Sequence, residues 1–95
     1  MDIKLKKEIF NAFQVSPEHI MELMNHLENG DLLKVRFLMS DIISDYRTNN
    51  STEKLIYTEN DIINHNVIVE TLTLMENTYS DFMLLIEEKQ EVINE

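Results

Sequence analysis

Apolar positions in the last third of the chain recur at steps of four and three residues. The first series consists of Ile68, Leu72, Met75, Tyr79, Phe82 and Ile86, followed by Ile93 after a polar gap at Lys89. This spacing is typical of a helix that packs lengthwise against another helix. A second series lies on roughly the opposite side of the same helix: Ile63, Val67, Leu74, Leu85 and Val92. The pattern predicts one long helix over residues 59–92 with two apolar faces to cover.

Three shorter helices are predicted before it, over residues 2–13, 17–29 and 32–46. Ser16 is a favourable N-cap for the second helix, and Gly30 favours its termination. Asp31 favours the start of the third helix. Thr58 with Asp61 has the spacing of a capping box for the long helix. Residues 47–57 between them are predicted to form a loop.

The third helix carries apolar residues on two sides. Its main stripe consists of Leu32, Val35, Met39, Ile42 and Tyr46. Leu33 and Phe37 lie on a different side, one turn apart, so we expect this helix to lie between two neighbours. One glycine and one proline are too few for a strand-and-turn architecture. The predicted fold is therefore an all-α, elongated antiparallel bundle that forms a single domain over residues 1–95.

Charge narrows the classes of partner. The formal net charge of −10 disfavours direct binding to nucleic acid and to anionic membranes. It leaves a basic protein partner, or a surface that is merely well solvated. The absence of cysteine and of a membrane-length apolar run predicts a cytoplasmic protein, in the host cytoplasm if it is virus-encoded. The bias towards Ile, Asn, Lys and Glu indicates an AT-rich bacterial, phage or viral source.

Candidate chemical groups are sparse. His19, Glu22 and His26 share the polar side of the second helix, but the two histidines are two turns apart, about 10 Å along the axis. One metal ion needs ligands that converge within about 2 Å of it, so we predict no metal site. The chain has no glycine-rich phosphate loop and no nucleophilic triad pattern. We therefore predict no catalytic residue, no cofactor and no enzymatic activity.

Two short segments resemble known families. Glu87-Glu88-x-x-Glu91 resembles half of the magnesium site of all-α nucleotide pyrophosphohydrolases, whose downstream acidic pair does not follow in these 95 residues. That resemblance implies an alternative function, namely a binder or hydrolase of a small phosphorylated ligand or nucleotide, assembled across an oligomer interface. The segment 16–39 is similar to one ankyrin repeat, but no second copy follows at a 33-residue offset.

The apolar helix surface exceeds what one small core is expected to bury, which favours protein binding as an adaptor, chaperone or inhibitor. We also expect a homodimer, with Phe82 and Ile86 near its contact. A narrower hypothesis is an acidic decoy for the basic groove of a nucleic-acid-binding protein, which requires carboxylates clustered at phosphate-like spacing. The candidate interface residues are Met75, Tyr79, Phe82, Met83, Leu85, Ile86, Leu33, Phe37 and Met21.

Overall fold

A computed structural model describes residues 3–50 and 58–94, with side chains described as far as residue 88. These ranges contain four helices and no strand: α1 (Ile3–Ala12), α2 (Pro17–Glu28), α3 (Leu32–Asn49) and α4 (Glu59–Asn94). The predicted all-α fold class is confirmed. The predicted first residue of the first helix and residues 51–57 of the predicted loop lie outside the described residues, as do the side chains of Glu91, Val92 and Ile93.

The start of α4 is fixed by the predicted capping box. The backbone N–H of Thr58 donates to Asp61 Oδ2 at 3.1 Å, and the N–H of Asp61 donates to Thr58 Oγ1 at 3.2 Å. Two backbone donors that have no partner within the helix are thereby satisfied. At α2, Pro17 occupies the first turn, but the predicted N-cap Ser16 makes no side-chain cap. Its hydroxyl lies instead 2.9 Å from His19 Nδ1.

The turn between α2 and α3 depends on Gly30. Its φ of +73° lies in the left-handed region, where a Cβ atom is strained. The Gly30 N–H donates to the Leu27 carbonyl at 3.3 Å, and the Asp31 N–H donates to the His26 carbonyl at 3.0 Å. This pair of bonds is the Schellman motif, which satisfies the last carbonyls of a helix and reverses the chain.

Helix α3 continues three residues beyond its predicted end, to Asn49. Two interactions accompany this extension. The Thr48 hydroxyl donates to the Ser44 carbonyl at 2.9 Å, and the Arg47 guanidinium forms an ion pair with Glu76 of α4. The predicted start of the loop at Arg47 is therefore wrong, because a contact with a distant part of the chain supports one more helical turn.

The helices contact one another in the cyclic order α1, α4, α3 and α2. Helix α4 packs against α1 and α3, and α3 also packs against α2. Helices α3 and α4 are antiparallel. Arg47 near the end of α3 pairs with Glu76, whereas Ser40, earlier in α3, shares a cleft with Ser80, later in α4. The molecule measures 55 × 26 × 21 Å. The longest dimension matches α4, whose 36 residues span about 54 Å.

All four helices and the residue after α1 contribute to one core. Its buried members are Leu5, Ile9, Ala12, Phe13, Leu23, Leu27, Val35, Met39, Ile42, Ile43, Met75 and Phe82. The main stripe predicted on α3 faces this core. On α4 the core begins near Leu72 and extends to Ile86, both partly buried. The first three turns of α4 therefore extend beyond the core.

Replacing Gly30 with alanine tests the turn. We expect Gly30→Ala to lower the free energy of unfolding by about 1–2 kcal/mol. No residue other than the two chain neighbours of Gly30 lies within 4 Å of the added Cβ, so the cost comes from the left-handed backbone alone. Urea denaturation measures the change. Asn29→Ala is the matched control, since Asn29 has a right-handed φ of −82°. Equal losses in the two variants would contradict this role of Gly30.

Replacing Phe82 with alanine tests its place in the core. Phe82 has 0% exposure, so we expect Phe82→Ala to cost about 3–5 kcal/mol of unfolding free energy. The control Leu84→Ala should lower the unfolding free energy by less than about 1 kcal/mol, because Leu84 is 58% exposed. Thermal or urea unfolding at several protein concentrations gives both values. A Phe82→Ala loss that grows with concentration would place Phe82 at an intermolecular contact instead.

Candidate functional site on the outer side of the long helix

Most α4 residues predicted to form an interface face the core of their own chain. Met75 and Phe82 are fully buried. Tyr79, Leu85 and Ile86 are partly buried and pack against the core, and Met83 is half-buried. Phe82 thus offers no surface to a second copy. The expectation that Phe82 lies in water until a partner covers it is corrected, because the helices of its own chain already enclose it.

Three predicted interface residues remain exposed on the α2–α3 side. Met21, Leu33 and Phe37 are 73%, 61% and 57% accessible. The Arg36 guanidinium carbon lies 6.0 Å from the centre of the Phe37 ring, at the outer limit of a cation–π contact. Although α3 lies between α2 and α4, neither neighbour covers Leu33 or Phe37. The prediction that α3 lies between two neighbours is confirmed, and its second apolar side stays exposed among the described residues.

A longer exposed line follows the side of α4 that faces away from the core. We call it the outer seam. It consists of Ile63, Val67, Glu70, Leu74, Asn77, Asp81, Leu84 and Glu88. All eight residues are exposed, and they alternate by four and three positions without a break. This is the spacing of the contact positions of a coiled coil, and it extends over about 38 Å.

The outer seam is uncovered because α1 and α3 both pack on the opposite side of α4. Every α4 side chain in the core lies on that one side. Leu74 and Met75 show the division most clearly. They are neighbours in sequence, but Leu74 is 50% exposed while Met75 has no accessible surface.

The electrostatics of α4 are entirely acidic over its described side chains. Residues 58–88 contain seven carboxylates and neither lysine nor arginine. Three of these carboxylates interrupt the aliphatic residues of the outer seam: Glu70, Asp81 and Glu88. Within residues 3–50 and 58–88, none of the three forms an ion pair. The one carboxylate of α4 that pairs with arginine there, Glu76, lies off the seam.

Sequence periodicity identified only part of the outer seam. It assigned Leu85 to the second apolar stripe, whereas the structure packs Leu85 against the core and exposes Leu84. The seam is recognised only if the spacing of four and three residues is continued through polar positions. It then leads from Leu74 through Asn77 and Asp81 to Leu84. Because two of these positions are polar, the apolar residues alone did not indicate the full seam.

The histidine and glutamate clusters make local contacts. His26 Nε2 lies 3.6 Å from Glu22 Oε1, and His19 contacts the Ser16 hydroxyl. In the part of the chain that the structure describes, no three histidine or acidic side chains lie close enough to hold a metal ion. Glu87 and Glu88 of the pyrophosphohydrolase-like segment are both exposed.

A cleft of about 480 Å³ lies between α3 and α4. Its lining residues are Ser40, Ile43, Ser44, Arg47, Glu76, Tyr79 and Ser80. The only cation in this lining is Arg47, which is already paired with Glu76. A phosphorylated ligand would have to compete with that carboxylate for the guanidinium, so the cleft gives no specific support to the alternative function.

These features define the molecule as an all-α bundle in which the described helices leave one side of α4 exposed from Ile63 to Glu88. No protein-family model matches the chain, and comparisons with curated proteins and with solved structures found no significant match. Among the described residues, no helix combines the length and apolarity needed to cross a bilayer.

Glutamate substitutions at Leu74 and Met75 test the division between seam and core. We expect Leu74→Glu to change the free energy of unfolding by less than about 1 kcal/mol, because its carboxylate remains in water. Met75→Glu should unfold the chain or destabilise it severely, because a charge would be buried without a partner. Circular dichroism with thermal melting measures both. Similar effects at the two positions would contradict the assignment of the outer seam.

Proposed function

We propose that this protein binds another protein and acts as an adaptor, chaperone or inhibitor by occupying its partner's surface through the outer seam. The observation that carries the proposal is the unbroken, exposed line of contact positions along α4. Exposed apolar residues scattered singly need no explanation. Here four exposed aliphatic residues recur on one line of a single helix, with polar residues between them, and this arrangement supports an interaction surface.

The aliphatic residues of the outer seam supply the favourable free energy of the proposed contact. Ile63, Val67, Leu74 and Leu84 each keep half or more of their surface in water. Covering that remaining surface contributes on the order of 1 kcal/mol per residue. Association also costs translational freedom and side-chain ordering. These four residues together supply only about 4 kcal/mol, which corresponds to a dissociation constant near 1 mM, so we propose a weak and reversible contact.

The charge of the outer seam supports a basic partner, a class that includes nucleic-acid-binding proteins. It does not reproduce a phosphate backbone, however. Glu70 and Asp81 are about 16 Å apart along the axis, and Asp81 and Glu88 are about 10 Å apart. DNA presents one phosphate per 3.4 Å of each strand. The spacing along the seam therefore favours recognition of a protein surface over a decoy that imitates nucleic acid.

A photo-crosslinking amino acid in place of Leu74 tests the proposal in cells that naturally produce the protein. The matched positions are Leu33, in the exposed patch on α3, and Asn11, which is exposed on α1. We expect a covalent adduct with one other protein from Leu74 and none from Asn11. Mass spectrometry identifies the adduct, and the purified partner should lose binding to Val67→Glu/Leu74→Glu.

Three outcomes would overturn the proposal. Absence of any adduct from Leu74 would remove the seam as a binding surface. An adduct with twice the mass of the chain would show that the seam serves self-association, as in the predicted homodimer. Capture of a partner from Leu33 alone would move the binding surface to the outer side of α3.

A further inference from the structure

Building on the proposed function, we propose that the occupant of the outer seam is a basic amphipathic helix. It lies lengthwise on α4 and places lysine or arginine opposite Glu70, Asp81 and Glu88. The aliphatic residues of that helix contact Ile63, Val67, Leu74 and Leu84.

The geometry of the outer seam selects a helix. Its steps of four and three match the contact positions of two helices that run side by side. An added β-strand would need a sheet edge with free backbone donors and acceptors. The interior of α4 has none, because its backbone groups are bonded within the helix. The seam length of about 38 Å corresponds to a partner helix of roughly 26 residues.

The carboxylates of the outer seam select a cationic helix. A helix seated on the aliphatic residues would remove water from Glu70 and Asp81, which lie between them. Removing a carboxylate from water is costly unless a charged partner compensates for it. Cations eleven and seven positions apart on the partner would match the spacing of Glu70, Asp81 and Glu88. An anionic membrane surface would repel the same carboxylates.

A second copy of the chain fits the outer seam poorly. A parallel, in-register pair places Glu70, Asp81 and Glu88 each against its own counterpart. An antiparallel pair centred between Leu74 and Asn77 places Glu70 against Asp81. Sliding that pair by one heptad places Glu70 against Leu74 and buries the carboxylate on an aliphatic side chain. Each arrangement opposes like charges or leaves a charge without compensation.

Two synthetic helical peptides test the inference. Both carry leucine opposite the four aliphatic seam residues. One carries lysine opposite Glu70, Asp81 and Glu88, and the other carries glutamate there. Each is made in a parallel and in an antiparallel register, and binding to the full chain is measured by fluorescence anisotropy. We expect the lysine peptide to bind in one register and the glutamate peptide to bind in neither.

Charge reversal separates seam recognition from general attraction. Glu70→Lys/Asp81→Lys should weaken binding of the lysine peptide about tenfold or more and allow the glutamate peptide to bind. The matched control, Asp41→Lys/Asp45→Lys, makes the same change in net charge at exposed positions on α3. It should weaken binding less than about threefold. Circular dichroism confirms that both variants remain folded.

Two results would overturn the inference. The lysine peptide could fail to bind in both registers, or the two double variants could weaken it equally, which would show that only net charge matters. The crosslinking experiment distinguishes failure of this inference from failure of the proposed protein-binding function. If Leu74 captures a protein in cells while the lysine peptide does not bind, the protein-binding function stands and the partner is not a basic helix.

Discussion

The structure depends on a mismatch of length between α4 and the helices that pack on it. Helix α4 has 36 residues, whereas α3 has 18 and α1 has 10. Because these companions both lie on one side of α4, they complete a core from Leu72 to Ile86. The opposite side of the same helix is exposed from Ile63 to Glu88. The core and the outer seam are thus two consequences of one arrangement.

Local signals predicted the helices because caps and turns act over a few residues. Thr58 with Asp61, and Gly30 after α2, formed the contacts expected from their spacing. The end of α3 was missed because its support comes from Glu76, a residue 29 positions away from Arg47. No periodicity in a short window contains such a contact.

The faces of α4 were harder to assign. Two apolar stripes on one helix are equivalent until the neighbours are placed, so the sequence showed that both existed but not which one turned inward. Phe82 was therefore assigned to an intermolecular contact, although α1 and α3 complete a core around it. Leu84 and Leu85 are separated by only 100° on the helix, and packing decided between them. Glu70 and Asp81 were not predicted as interface residues, because the apolar periodicity that indicated the stripes does not include acidic residues.

The positions of the acidic residues along α4 are more informative than the net charge of the chain. Net charge alone is an argument about solubility and general attraction. Carboxylates inserted between aliphatic residues of an exposed seam also impose a choice of partner, because they penalise a second copy of the same seam. An interface gains specificity when it repels the wrong partner as well as attracting the right one.

Helix α4 is held by its own chain from Leu72 to Ile86, whereas its first three turns extend beyond the core. Native-state amide hydrogen exchange, measured residue by residue at two protein concentrations, tests this most directly. We expect strong protection from Met75 to Ile86, much faster exchange from Ile63 to Val69, and no change with protein concentration. Equal protection along α4, or protection of its first turns that rises with concentration, would contradict it.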